Sequence, residues 1–177
     1  MDAYSAAFRV VVGEEGGYGA DPADPGNWTG GAVGAGVCRG TKYGISAAAY
    51  PDLDIEHLAL AQAQAIYRRD YWDRVAGDSL PAPLALLVFD AAVNNGVARS
   101  AEWLQAAVGV AEDGEIGPET LGAVTAHAGD GAALCAQVLC RRWLFMTRLP
   151  TWGAFGDGWA ARLSALPFHS MSYTQEA

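Results

Sequence analysis

Tyr4-Ser5-Ala6-Ala7-Phe8-Arg9-Val10-Val11-Val12-Gly13-Glu14-Glu15-Gly16-Gly17-Tyr18 is the stretch on which the fold turns. Tyr4, Phe8, Val11 and position 15 recur on one face of a 3.6-residue period, while Asp2, Ser5, Arg9 and Gly13 take the opposite face. The spacing predicts a helix over 2–14 that stops at Gly16-Gly17. On that helix Glu15 falls in the middle of the apolar stripe and Glu14 at its edge, near Ala7 and Val10. A carboxyl group on an apolar stripe loses water, which disfavours its charged form and raises its pKa. An acid still protonated near neutral pH is what a general acid must be. The competing reading is a frayed helix end at which Glu15 reaches solvent.

Working outward, residues 16–44 hold ten glycines, two prolines and two aspartates, with almost no helical periodicity. Loops of this length in a compact domain are functional or carry short strands. Trp28-Thr29 and Gly30-Gly31, followed by Val33 and Val37, suggest a small hairpin or flap. Asp21-Pro22-Ala23-Asp24-Pro25-Gly26 supplies two carboxylates on a stiffened loop. Glycosidic cleavage by the usual route needs an acid and a second carboxylate, and this loop offers one; ordinary Asx turns are the local alternative. A Thr41 hydroxyl at the end of the loop suits positioning a water or holding an Asp.

Beyond the loop the pattern is helical: a short helix capped by Ser46 and ended by Pro51, a piece starting at Asp54, then 60–75, 81–94, 100–108, 118–127, 130–149 and 152–166. Tyr67, Arg68, Asp70, Tyr71, Trp72 and Asp73 form an aromatic and charged cluster suited to a saccharide groove or to a core with a polar rim. Asp90, inside an apolar helix, is costly unless paired and reads as structural, bonded to an Arg or a helix N-terminus. The expected division is 1–108, then a helical lobe over 109–166, then a loose tail over 167–177.

Twenty acidic against eleven basic residues give a net charge of −9, which argues against a nucleic-acid partner. Lys42 is the sole lysine, and Arg141, Arg142, Arg148 and Arg162 face only Asp157 in the last helical stretch, so a basic face can exist on an acidic chain. Cys38, Cys135 and Cys140 form no disulfide pattern, and the scattered His57, His127 and His169 argue against a zinc site, so neither metal nor cofactor is expected. No apolar run reaches the length of a membrane span, and no secretory signal is visible.

Several segments in order then resemble glycoside hydrolase family 108, the phage-type and bacterial N-acetylmuramidases of the lysozyme-like superfamily. They are Glu15-Gly16-Gly17-Tyr18, Asp21 to Gly26, Asn27-Trp28-Thr29-Gly30-Gly31, Gly40 to Ser46, Ile66 to Trp72 and Phe89 to Gly96. Leu104 to Gly109 and Asp113 to Leu121 look like the peptidoglycan-binding region that follows in this family. The resemblance implies a mainly α, lysozyme-like fold with a long Gly/Pro-rich loop or small β-hairpin after the first helix. It also implies cleavage of the β-1,4 bond between N-acetylmuramic acid and N-acetylglucosamine, with Glu15 as acid. The second carboxylate falls on Asp24 or Asp21, assisted by Thr41. Tyr18, Trp28, Tyr43, Tyr71, Trp72 and Asn94 are the candidate substrate-binding residues. A lytic transglycosylase and a non-catalytic murein-binding phage structural protein are the rival readings. The expected partner is the peptidoglycan glycan strand. A monomer is expected, made in the bacterial cytoplasm and exported by a holin-like pore or a secretion route to act as an endolysin in the periplasm or cell wall.

Overall fold

The computed structural model describes residues 2–13 and 16–172. It is mainly helical, in the order α1 (Ala3–Val11), a hairpin of β1 (Thr41–Lys42) and β2 (Ile45–Ser46), α2 (Leu60–Tyr67), α3 (Ala82–Asn95), α4 (Val97–Val108), α5 (Pro118–Ala126), α6 (Gly131–Met146) and α7 (Trp152–Ser172). The expected fold class is the observed one. The chain forms two compact units, Met1–Ala7 with Arg69–Ala177, and Phe8–Arg68.

In the first unit α3 is central. It packs on α4, α6 and α7. Leu84 to Ala92 are all buried along it, so this helix is apolar on every side, as a helix enclosed by others must be. Trp72, wholly buried, meets Tyr4 and Phe89 edge-on. Asp90 has no exposed surface. Its Oδ2 accepts from Arg142 Nη1 at 2.5 Å, and its Oδ1 accepts from Arg162 Nε at 2.9 Å and also from Arg162 Nη2. Arg142 Nε donates to Asn95 Oδ1 at 2.8 Å. Burial pulls the Arg142 guanidinium below its ordinary value, and the charge of Asp90 opposes that shift. The pairing expected from the sequence is therefore present twice over, and it pins α6 and α7 to α3.

The expected boundary at 108 is an element boundary. α4 ends at Val108 on Gly109, whose φ of 76° closes the helix. The segments on either side of it share one core. Two expectations fail. Ser46 caps no helix: it lies in β2 and its carbonyl closes a turn on Tyr50. The tail is not loose from 167, because α7 continues through Pro167 to Ser172. Leu163, Leu166 and Ser170 are buried there, and burial of that face outweighs the one backbone bond a proline removes.

In the second unit Phe8, Ile45, Ile55, Leu58 and Tyr67 are buried, with Phe8 edge-on to Tyr67 at 5.6 Å. Tyr43 (φ 51°) and Gly44 (φ 74°) occupy the two turn positions between β1 and β2, the left-handed pair that a two-residue hairpin needs. Trp28 pairs with Cys38 in an isolated antiparallel bridge, which forms the base of the expected flap.

Asp90→Asn leaves two guanidinium groups around a neutral amide. It should cost about 3–5 kcal/mol of folding stability in urea titration, as loss of one partner of a buried ion pair does. A loss below about 1 kcal/mol contradicts this reading of the cluster.

Candidate active site

The site expected from the sequence begins where α1 ends. The helix stops at Val11, earlier than 14. Gly13 takes φ 82° and its amide bonds the Phe8 carbonyl at 3.3 Å. A glycine that adopts the left-handed region ends a helix at low cost, so Gly13 rather than Gly16-Gly17 is the stop. The expected helical apolar stripe therefore ends with α1 at Val11, before position 15. Glu14 and Glu15 themselves lie outside the described residues. Gly16, next along the chain, is pressed on the hairpin turn: a Cβ there would stand 2.7 Å from the Tyr43 Cα and 2.8 Å from its nitrogen. No other residue fits without moving the backbone.

The loop that follows is organised around Asn27, which the sequence reading does not single out. Asn27 is 4% exposed. Its Nδ2 donates to the Asp21 carbonyl at 3.0 Å and its Oδ1 accepts from Thr41 Oγ1 at 2.7 Å. Its amide donates to the Asp24 carbonyl, and its own carbonyl accepts from the amides of Arg39 and Gly40. The nitrogen of the side-chain amide must face the Asp21 carbonyl, because two oxygens would repel, so the orientation follows from the network. Asp21 and Thr41 are thus drawn onto one buried side chain, and Asp24 onto the backbone amide of the same residue. Nothing local in the sequence marks this role.

The two aspartates are exposed and locally held. Asp21 Oδ1 accepts from the Ala23 amide at 2.9 Å, and Asp24 Oδ1 accepts from the Gly26 amide at 2.8 Å, capping a short 3₁₀ turn. Both are Asx turns that present a carboxylate to solvent. The Thr41 hydroxyl spends its proton on Asn27, so it does not hold an Asp directly. Its lone pairs stay able to accept from a water.

Trp28 is half-buried and its indole donates to the Pro22 carbonyl at 2.9 Å, which stiffens the Asp21–Asp24 segment. Tyr43 sits in the turn, its carbonyl accepting from the Tyr67 hydroxyl at 3.0 Å. Tyr18 is exposed and lines a polar pocket of about 370 Å³ with Arg39, Asp52, Asp54 and Glu56. Partial burial, then the Glu56 carboxylate, pushes the Tyr18 hydroxyl up, and the hydrogen bond from His57 holds Asp54 below the usual carboxylate range. In the other unit Trp72 must be reassigned. It is 0% exposed and its indole donates to Asp78 at 2.9 Å, so it has no face for a sugar and belongs to the core. Tyr71 is half-buried beside it in a π-helical turn over Arg68–Trp72. Asn94 is exposed, with its amide bonded back to the Asp90 carbonyl. A larger cavity of about 520 Å³ in that unit, lined by Leu84, Leu87, Val124, Leu134 and Leu139, has no carboxylate among its described lining residues.

Residues 8–96 match the family model described as glycosyl hydrolase 108. The chain belongs to glycosyl hydrolase family 108. Residues 99–164 match the model of a predicted peptidoglycan domain. The structure of Brucella abortus SagA is similar, with 33% identity over 96% of this chain and 94% of that one and a TM-score of 0.76. Comparison with curated proteins finds no match. Family 108 membership together with the second domain supports a lysozyme-like glycosidase that acts on peptidoglycan.

In the segment matched as a peptidoglycan domain, the Asp113-Gly114-Glu115 motif is absorbed by the fold. Gln105, buried on α4, donates to Asp113 Oδ1 at 2.6 Å and to the Glu115 carbonyl at 3.0 Å, and accepts from the Gly114 amide at 2.9 Å. The bond from Gln105, then that from the Glu115 amide, holds the Asp113 carboxyl below its usual range.

If Asn27 is the frame of the loop, Asn27→Ala should cost about 2–3 kcal/mol in thermal or urea unfolding, from two lost side-chain bonds and the polar groups left behind. Thr41→Val should add little on top of it in a double-mutant cycle. Full additivity of the two changes contradicts the shared network.

Proposed function

We propose that this family 108 chain is an N-acetylmuramidase that hydrolyses the β-1,4 bond between N-acetylmuramic acid and N-acetylglucosamine in cell-wall lysis. Glu15 is the general acid that protonates the glycosidic oxygen. A carboxylate of the Asp21–Asp24 loop stabilises the oxocarbenium-like state or orients the attacking water. The observation that carries this reading is the family match over 8–96, which spans Glu15 and the whole loop framed by Asn27. Local geometry supports it. The described residues that bracket Glu14-Glu15 are fixed, Gly13 by closing α1 and Gly16 by its contact with Tyr43. Such fixed flanks suit a group whose geometry must be held to well under an ångström. Thr41 acts as a positioning residue: it reaches the Asp21 and Asp24 backbone through Asn27 and offers lone pairs to a water. The glycan strands of peptidoglycan are the substrate, met in the periplasm or cell wall.

Glu15→Gln should lower the release of reducing ends from purified sacculi by at least ~10²–10⁴-fold, the range of a lost general acid, with an unchanged unfolding midpoint. A variant as fast as the parent removes Glu15 from the mechanism. Asp21→Asn and Asp24→Asn separate the two loop carboxylates: the one whose loss slows turnover more, with the fold intact, is the assisting group. Equal, negligible effects of both leave the loop without a catalytic role.

A further inference from the structure

Four aromatic rings run in a row from α6 into α7. Trp143 and Trp152 lie 6.1 Å apart between centroids, Trp152 and Trp159 6.0 Å, and Trp159 and Phe155 5.8 Å. All three contacts are tilted, so no ring is sealed face to face by its neighbour. The three indoles are half-buried and Phe155 is 58% exposed. Rings serving the core alone are covered in this protein, as Trp72 and Phe89 are.

Two glycines of α7 fit an open ring surface. Gly156 seats the Trp152 indole, since a Cβ there would stand 2.7 Å from the ring. Gly158, three residues beyond Phe155, meets nothing within 4 Å. Glycine inside a helix costs stability relative to alanine, and at 158, as at Gly153, no contact among the described residues accounts for that cost. A bare backbone beside an exposed ring leaves room for the close approach of a ligand.

Charge around the row is mixed. On a chain of net charge −9, residues 141–162 carry four arginines and one acid, Asp157. Arg142 and Arg162 are committed to Asp90. Arg148, exposed in the turn between α6 and α7, lies in sequence between Trp143 and Trp152. The row is thus flanked in sequence by one exposed cation, Arg148, and carries one exposed anion, Asp157, between Phe155 and Trp159.

We propose that Phe155, Trp159, Trp152 and Trp143 form a stacking platform for the murein glycan strand, with Arg148 facing the carboxylates of its stems. The C–H faces of pyranose rings are weakly positive and fit the negative faces of aromatic rings, whereas alternating carboxylates on the strand suit the arginine. The proposal rests on the reading of this chain as a peptidoglycan hydrolase, and supplies a binding surface outside the Asp21–Thr41 loop.

The test uses the full chain, purified sacculi for co-sedimentation, and short soluble murein fragments for turnover. Phe155→Ala should weaken sacculus binding about five-fold, the scale of one aromatic contact, and raise KM on sacculi at unchanged kcat. Turnover of short fragments and the unfolding midpoint should stay as in the parent. Phe155→Trp should restore binding, and Arg148→Gln should make binding less sensitive to salt. The platform is overturned if Phe155→Ala binds sacculi like the parent, if the parent binds no sacculi, or if the variant's only effect is to dissociate a dimer of this chain. If sacculi are bound through Phe155 but no substrate yields reducing ends, the platform stands and the hydrolase reading falls.

Discussion

A fully buried carboxylate holds the larger unit together. Asp90 sits inside an apolar helix, where an unpaired charge is costly, and two guanidinium groups meet it from α6 and α7. The cluster is directional in a way that leucine contacts are not. α3 can rotate or slide only by losing bonds that nothing else at that depth replaces. It also joins segments that match two different family models, since Asp90 lies in 8–96 and both arginines lie in 99–164. An ion pair of this kind contributes less net stability than it commits to one arrangement, and here it sets which faces of α6 and α7 turn outward.

The smaller unit meets the same constraint with a neutral group. A long loop cannot bury an apolar face of its own, so its shape comes from backbone and side-chain hydrogen bonds converging on Asn27. Glycines supply the close approaches: Gly16 lies against Tyr43, and Gly40 stands where a Cβ would meet the Gly19 carbonyl at 2.5 Å. Two exposed carboxylates are thereby carried on a stiff frame. Such a frame suits a glycosidase, in which the acid, the second carboxylate and the water must hold their geometry while the sugar distorts.

Much of this is legible in the sequence. The helices expected over 81–94 and 118–127 stand within a residue of where the pattern places them, whereas the one expected over 60–75 ends at Tyr67, the one expected from 100 starts at Val97, and the one expected to end at 149 ends at Met146. Asp90 shows its pairing because a charge survives in an apolar run only beside an opposite charge or a strong donor. The end of α1 is misread because the three valines carry the apolar period past Gly13, although the glycine already marks the stop. Trp72 and Tyr71 share a cluster in the sequence, yet only burial separates the core ring from its half-buried neighbour. Asn27 is illegible for a physical reason: its role consists of bonds to residues 6 to 14 positions away, which no local period encodes. The α6–α7 ring row is likewise hidden, because helical spacing alone reads such aromatics as core.

The central claim is that water adds across the bond on the muramic side of the glycan. The most direct measurement is mass spectrometry of the fragments released from purified peptidoglycan. The account predicts hydrated N-acetylmuramic acid at the new reducing ends. Anhydro-muramic ends, reducing-end N-acetylglucosamine, or an undigested glycan would each contradict it.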